Sequence, residues 1–423
     1  MPMPSVLTPA PVLAAETLWT ERFARRIHGL KSSAIRELLK LTEQPDVISF
    51  AGGLPAPEVF PIKHIEAAAH RVLETQGRVA LQYGITEGYL PLRELLVRHM
   101  GRYGIRVTPA NLLITSGAQQ ALDLIAKLLL DPGDAVLTEE PTFLSAIQTF
   151  TSYQAHCITV PLDDDGMRID LLEAALRRGP KFMYVLPNFQ NPAGVTLSLE
   201  RRRALVELAS RYGTPIVEDD PYGQLRYEGR HLPSLVRLDA EYHGCAHGER
   251  PFRGSVLYMG TLSKTLAPGL RIGWVVAPEE VVVRLVQLKQ SADLHTSTFV
   301  QMVAYEAARG GFLDHHIPAI RSLYTERRNA MLAAMERHFP AGVRWTHPHG
   351  GLFLWVTLPP GVRADELLKD ALCERVAFVP GQAFHPSGGG SGTFRLNFSY
   401  CTSERIEEGI ARLGRVIQRK LAA

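Results

Sequence analysis

Cysteine is scarce in this sequence. Its 423 residues hold four, Cys157, Cys245, Cys373 and Cys401, set far apart and with no C-x-x-C pair. That spacing argues against a disulfide framework or a cysteine-held metal and fits reduced thiols in a cytoplasmic enzyme. Long apolar runs are missing too: none approaches the ~20 residues that cross a bilayer, so no membrane association is expected. Charge of one sign is missing as well. The net charge is only +3 and no block of like charges occurs, which gives no case for nucleic acid as a partner. The short run Arg201-Arg202-Arg203 reads as the solvated start of a helix. Residues 1–15 carry prolines at 2, 4, 9 and 11 and no basic start, unlike a signal peptide or an anchor, and are expected to be mobile. No internal repeat and no histidine spacing suited to a metal is found.

What is present is an ordinary globular balance, with 46% apolar and 21% charged residues, in a chain long enough for roughly two or three domains. The most informative stretch is Gly260-Thr261-Leu262-Ser263-Lys264-Thr265 through Arg271-Ile272-Gly273-Trp274. An apolar run, Val256 to Met259, precedes it, and a second runs from Ile272 to Ala277. Two strands bracketing a polar loop place that loop at strand ends. An amine held there among few counter-charges can lose its proton and attack a carbonyl. Hydroxyls and an arginine suit a phosphate ester. Amine, carbonyl and phosphate together point to pyridoxal 5′-phosphate bound as a Schiff base, although a solvated lysine in a surface loop has the same local sequence.

Other strand ends bear on that choice. Val47 to Phe50 runs into Gly52-Gly53 and two prolines, a tight turn or a close backbone approach. Leu81 to Tyr89 is a polar, glycine-punctuated loop carrying Tyr83. Asn111 to Thr115 reads as a strand, Ser116-Gly117-Ala118-Gln119-Gln120 as a turn, and Ala121 to Leu130 as a helix. The free N–H groups at such a helix start can hold an anion, or the stretch is a plain connection. Phe143 opens a helix after the strand Ala135–Thr138, where it can stack on a planar ring or pack in the core. The apolar run Phe182 to Leu186 suits a central parallel strand and leads to Asn191-Pro192-Ala193-Gly194. Asn191 can donate to a ring oxygen or cap its turn. Strand Pro215 to Val217 leads to Glu218-Asp219-Asp220-Pro221-Tyr222, where adjacent carboxylates fit a solvated turn, a metal, or a cation such as a protonated pyridine ring.

The alternation from about residue 110 to 276 is that of an open α/β sheet. Helices are expected at 279–294, 298–309 and 312–338, then a strand pair over 343–358, a helix at 364–373, strands at 377–379 and 394–398 and a helix at 403–420. These last elements form an α+β unit. Gly388-Gly389-Gly390-Ser391-Gly392 reads as a flexible loop, because no helix comes after it. His315-His316 read as surface residues.

Taken in order, the stretches at Ser116–Gln120, Asn191–Gly194, Glu218–Tyr222, Ser263–Gly273 and Phe394-Arg395-Leu396 resemble the pyridoxal-phosphate aminotransferases of the aspartate aminotransferase fold. The resemblance runs from about residue 25 to 420 and is greatest to the 2-aminoadipate and kynurenine aminotransferase branch, which is related to the effector domains of MocR-type regulators. It implies an α/β fold: a large cofactor-binding domain at 61–310 with a mostly parallel seven-stranded sheet, a smaller α+β domain at 311–423, and an N-terminal arm with a substrate-lining segment at 1–60. It implies Lys264 as the Schiff-base lysine, Asp219 as partner of the ring nitrogen, and Asn191 and Tyr222 at the ring hydroxyl. Gly117, Ala118, Gln119, Thr261, Ser263 and Arg271 take phosphate places, and Tyr83 that of a tyrosine reaching a phosphate across a dimer interface. Phe143 holds the stacking place where relatives often have tyrosine. Arg395 matches the arginine for a substrate α-carboxylate, with Gly53 lining the substrate.

The activity so implied is ping-pong transfer of an amino group from an L-amino acid to a 2-oxo acid such as 2-oxoglutarate, in a homodimer. Arg36, on an N-terminal helix with Ile35, Leu38 and Leu39 on its apolar side, is a candidate second cation for dicarboxylic donors. Arg25, Arg26 and Lys31 compete for that role. A β-lyase or decarboxylase on the same fold is the main alternative. A MocR-like sensor would need a DNA-binding domain, and the roughly 25 residues before the matched region are too few for one.

Overall fold

The computed structural model describes residues 15–30, 46–245 and 252–422. Strand β1 is Ile48–Ser49, followed by β2 (Leu112–Thr115), β3 (Ala135–Glu140), β4 (His156–Asp163), β5 (Gly166–Met167), β6 (Phe182–Val185) and β7 (Ile216–Asp219). Then come β8 (Val256–Thr261), β9 (Gly273–Val276), β10 (Arg344–Trp345), β11 (Phe353–Thr357), β12 (Val376–Ala377), β13 (Val379–Pro380) and β14 (Thr393–Asn397). A central sheet has the order β2-β9-β8-β7-β6-β3-β4-β5. From β8 to β4 neighbours are parallel. β9 lies antiparallel between β8 and β2, so β2 runs the same way as β8. The mostly parallel sheet expected from the sequence is present, with the two-residue hairpin partner β5 making an eighth strand.

The central strands form because their residues are apolar on both faces. β2, β6, β7 and β8 are buried along their whole length, as expected for strands covered by helices on both sides. Alternate residues feed two cores: Phe182 and Tyr184 enter one, Met183 and Val185 the other. Each such Val, Leu or Phe contributes about 1.5–3 kcal/mol relative to exposure. A reading by apolar runs does not find β4. It lies next to the sheet's edge, with only Leu162 and Asp163 paired on its outer side to β5, and its Ile158 and Val160 are buried between less buried Cys157, Thr159 and Pro161.

The helix Ala118–Leu129 covers one face with Ala121, Leu122, Leu124 and Ile125. The helix Leu199–Tyr212 starts where Ser198 Oγ accepts the Arg201 N–H and stops at Gly213, φ 63°, the two end signals expected of a regular helix. The C-terminal elements form a second sheet, β10-β11-β14-β13, backed by the helices Phe312–His338, Ala364–Cys373 and Ser403–Ala422. β1 pairs with β12 in parallel, Ile48 beside Val376, so the Gly52-Gly53 segment leaves that second unit and runs toward the central sheet.

The ends Thr115, Glu140, Val185 and Asp219, the end of β8 at Thr261 and the start of β9 at Gly273 share one edge of the sheet. Groups at that edge converge without further design, which is where open α/β sheets bind ligands. The described part of the N-terminal segment, Ala15–Arg22 and Arg25–His28, exposes Trp19, Phe23 and Ile27. Lys31, Ile35, Arg36, Leu38 and Leu39 lie outside the described residues, as do residues 1–14. Among the described residues no helix is long and apolar enough to cross a membrane. His315 is exposed as expected, whereas His316 is half-buried and stacked on Phe312 at 5.0 Å.

Candidate active site

The three carboxylates after Val217 have three different environments. Glu218 and Asp219 belong to β7 itself rather than to a turn beyond it. Glu218 is fully buried and accepts the N–H groups of Leu235 and Val236, each at 2.8 Å, at the start of the helix Leu235–Tyr242. Asp220 accepts from Asn188 Nδ2 at 2.9 Å and from the Gly223 N–H at 2.8 Å. Asp219 accepts, among the described residues, from Tyr184 Oη alone, at 2.7 Å. Tyr184 lies beside Val217 in the register, so Asp219, two residues on, shares its face of the sheet. Burial pushes Asp219 up to about 7, with Asp220 adding to the rise and the Tyr184 hydroxyl opposing it. Among the described residues no cation pairs with Asp219.

Lys264 comes just after β8 and donates from Nζ to Gly53 O at 2.7 Å. Burial, then the positive charges of Arg395 and Arg271, push its ammonium down to about 8. An amine so placed is partly neutral near neutral pH, as a nucleophile or base needs. Arg395, on β14, is 1% exposed. Its Nη1 donates to Asn191 Oδ1 at 2.8 Å and its Nη2 to Ala51 O at 2.7 Å, while Nε has no hydrogen-bond partner among the described residues. The guanidinium lies 4.1 Å from the Phe353 ring centroid and 5.0 Å from that of Phe384. Phe353 in turn meets Tyr222 edge-on at 6.0 Å, and a Cβ on Gly53 would come 3.1 Å from its ring. Burial raises the Tyr222 hydroxyl well above its usual range, against Arg395 and a hydrogen bond to Asn191. Asn191, Tyr222, Arg395, Lys264 and Gly53 therefore form one connected set.

At the far end of the same edge, Gly117 begins the helix Ala118–Leu129 with no side-chain cap, so the N–H groups of Ala118 and Gln119 open the helix as an anion site does. Gly117 has φ 85°, and a Cβ there would strike Arg271 Nη2 at 2.3 Å. Gly273 is equally constrained, its Cβ position lying 2.6 Å from the Ala118 nitrogen. Arg271 Nη2 donates to Ser116 O at 3.4 Å. Thr261 Oγ1 donates to Ile272 O at 2.9 Å and lies 2.9 Å from Ser263 Oγ, which fixes the turn into Lys264. The Gln119 amide points elsewhere, to Thr149 Oγ1 at 2.9 Å.

Phe143 is the residue before the helix Leu144–Ser152 and packs against the core shared with Tyr184. Tyr83 is 80% exposed and lies edge-on to His295 at 5.9 Å. Arg36 lies outside the described residues. Sequence reasoning did not single out Tyr184, Phe353 or Glu139. Glu139 is buried, accepts from Gln190 Nε2 at 3.1 Å and the Leu186 N–H at 3.2 Å, and is pushed up by burial to about 8. Gln190 also accepts the Ala193 N–H at 2.8 Å, so Glu139 braces the loop that carries Asn191. A tyrosine inside an otherwise apolar central run was the available signal for Tyr184.

These groups suit pyridoxal 5′-phosphate feature by feature. A buried carboxyl without a cation suits a protonated ring nitrogen, a low-pKa amine suits its carbonyl, and an uncapped helix start with Arg271 beside it suits its phosphate.

The chain matches the aminotransferase class I and II family over residues 46–413. It is 46% identical over 417 residues to aromatic-amino-acid aminotransferase 1 of Thermococcus litoralis, covering 97% of each chain. The α-aminoadipate aminotransferase of Thermus thermophilus, solved with N-(5′-phosphopyridoxyl)-L-leucine, superposes with a TM-score of 0.88 at 43% identity, over 96% of this chain and 99% of the other. A Pyrococcus horikoshii kynurenine aminotransferase, solved with pyridoxamine phosphate, substrate and product, gives a TM-score of 0.88 at 45% identity, with the same 96% and 99% covered. The chain belongs to the class I and II aminotransferases, enzymes that use pyridoxal 5′-phosphate to transfer an amino group.

Proposed function

We propose that this enzyme moves the amino group of an L-amino acid to a 2-oxo acid by a ping-pong route, with a broad donor range and 2-oxoglutarate as the acceptor. The donors are 2-aminoadipate, glutamate, aromatic and branched aliphatic amino acids. The observation that carries the reading is Arg395: buried, steered by Asn191 and Ala51 O, and with Nε unpartnered in the set that contains Lys264. Names of similar enzymes support the donor classes, since they act on aromatic amino acids, α-aminoadipate and kynurenine.

In this reading Arg395 takes the α-carboxylate in a forked pair. When bound, the cofactor supplies an electrophilic carbon for the amine and a ring that accepts the electron pair left at the α-carbon. Lys264 Nζ takes the α-proton and later returns one, a task suited to an amine with a lowered pKa. Asp219 holds a proton on the ring nitrogen, Asn191 and Tyr222 orient the ring hydroxyl, and Phe143 stacks on the ring. Ala118, Gln119, Thr261, Ser263 and Arg271 hold the phosphate, with the turn at Gly117 giving it room. Gly53 leaves space for the substrate.

The reading treats residues 61–310 as the cofactor-binding unit and 311–423 as the smaller unit that brings Arg395 to it, with residues 1–60 as the arm. The functional assembly is a homodimer in which Tyr83 reaches the partner's phosphate. Its exposure on a loop fastened by His295 supports that role. Four free thiols support a cytoplasmic setting. The test is a donor panel run with 2-oxoglutarate and with pyruvate, scored for the new amino acid. Glutamate formed from several donors is expected. Loss of donor with no new amino acid would overturn the reading in favour of a lyase or decarboxylase.

A further inference from the structure

Lys289 has no exposed surface, which is unusual for lysine. It lies on the helix Glu279–Asp293, remote in sequence from the strand-end motifs. Its ammonium donates to Asp293 Oδ1 and Oδ2, each at 2.8 Å, and to Gln120 Oε1 at 2.7 Å. Holding an ammonium out of water is costly unless every proton finds an acceptor. Here all three acceptors belong to side chains that also touch Ser116.

Gln120 Oε1 accepts the Ser116 N–H at 2.8 Å, and Gln120 Nε2 donates to Asp293 Oδ2 at 2.6 Å. Ser116 Oγ lies 3.3 Å from the same Asp293 Oδ2 and 3.3 Å from Thr296 Oγ1. The carbonyl of Ser116 accepts from Arg271. Thus the hydroxyl of one residue meets the ion pair directly, its N–H is held by Gln120, which both members of the pair anchor, and its carbonyl by the arginine of the anion site. Serines before three other helices, Ser198, Ser234 and Ser297, use their hydroxyls to cap. Here the cap position is Gly117, which has no side chain, and Ser116, one residue earlier, directs its hydroxyl toward Asp293, so among the described residues no side chain caps the N–H groups at the start of this helix. The same helix end continues through Leu294, φ 65°, to His295, whose Nε2 accepts the Gly84 N–H at 3.2 Å in the loop that carries Tyr83.

We propose that the Lys289–Asp293 pair is a positioning element for the phosphate ester. It holds the Ser116–Gly117 turn so that the helix N–H groups and Arg271 converge on the phosphate, and it fastens that turn to the Tyr83 loop. The inference rests on the cofactor reading given above. Neither residue of the pair is among the groups assigned above to cofactor or substrate, so the pair acts through Ser116 and Gln120.

The test compares binding of pyridoxal 5′-phosphate with that of pyridoxal, which lacks the phosphate, in full-length wild type, Asp293→Asn and the double variant Lys289→Met with Asp293→Leu. The double variant replaces both charges with apolar groups of similar size, a change that folds tolerate well. Cofactor-free melting is measured on each. The expected result is a loss of affinity for the phosphate form of about tenfold, the scale of a charge-assisted hydrogen bond, with pyridoxal affinity and melting of the double variant nearly unchanged. Equal losses for both ligands, or no loss for either, overturn the proposal. If wild type shows no preference for the phosphate form, the cofactor-site reading fails and the inference falls with it.

Discussion

Arg395 and Asn191 stand 204 positions apart and meet through a 2.8 Å hydrogen bond, Nη1 donating to Oδ1. Asn191 closes the loop after β6, and Arg395 sits in β14 opposite Trp355 and Val379. The bond therefore joins the central sheet to the C-terminal sheet at the point where Lys264 meets Gly53. It uses the side of the guanidinium away from Nε, leaving the unpartnered Nε for a ligand. Neighbouring phenylalanine rings keep the group dry, and a dry guanidinium binds a carboxylate more tightly than a wet one.

Arg395→Lys tests that assignment. It keeps the charge and removes the planar fork. The Michaelis constant for amino donors is expected to rise by a factor equivalent to about 1.5–3 kcal/mol, with cofactor affinity little changed. An unchanged Michaelis constant across several donors would remove Arg395 from the substrate site.

Asp219 and Tyr184 make a graded pair. Asp219→Ala is expected to cut turnover far more than cofactor affinity, because the ring loses the group that keeps its nitrogen protonated. Tyr184→Phe removes one donor and leaves the carboxyl, so its loss should be smaller, about 1–2 kcal/mol of barrier. The pH dependence has a definite sign. The folded-state pKa of Asp219 is raised from 3.8 to about 7, so in cofactor-free protein its contribution to stability is full below the unfolded value and is lost as pH rises through about 7. Asp219→Asn should flatten that decline by about 1–3 kcal/mol, read as melting temperature against pH. Parallel curves for wild type and variant would count against a buried, unpaired Asp219. Glu218 and Glu139 shift in the same direction, which is why the comparison with the variant, not the raw slope, is the measurement.

Shared sites can be tested by mixing. Tyr83→Ala and Lys264→Ala subunits, each impaired alone, should regain part of the activity when co-refolded, because one of the two sites in a mixed dimer is then intact. An active monomer in sedimentation, or no recovery in proven heterodimers, would place Tyr83 outside the site.

Much of this site could be read from sequence because its parts are short polar segments directly after apolar strands. β6, β7 and β8 announce themselves by composition, and the residues next after each of them must lie at a sheet edge. The segment at Glu218–Asp220 shows the limit of that reading. Adjacent identical chemistry hid three separate jobs, decided for Glu218 and Asp219 by opposite faces of β7 and for Asp220 by the turn beyond it. Tyr184 and Asp219 meet because the register sets Tyr184 against Val217, a fact no local pattern encodes. Lys289 looks like any polar residue on an amphipathic helix until Gln120, 169 positions earlier, is placed beside it. β4 escaped because a strand so near the sheet's edge has no need to be apolar throughout.

The central claim is that Lys264 is the amine that carries the cofactor, and reduction tests it most directly. Purified enzyme, yellow with bound pyridoxal phosphate, is treated with borohydride, digested and mapped by mass spectrometry. The account predicts a phosphopyridoxyl group on the peptide containing Ser263-Lys264-Thr265 and on no other. Label on a different lysine, or a protein that takes up cofactor and yields no labelled peptide, would contradict it.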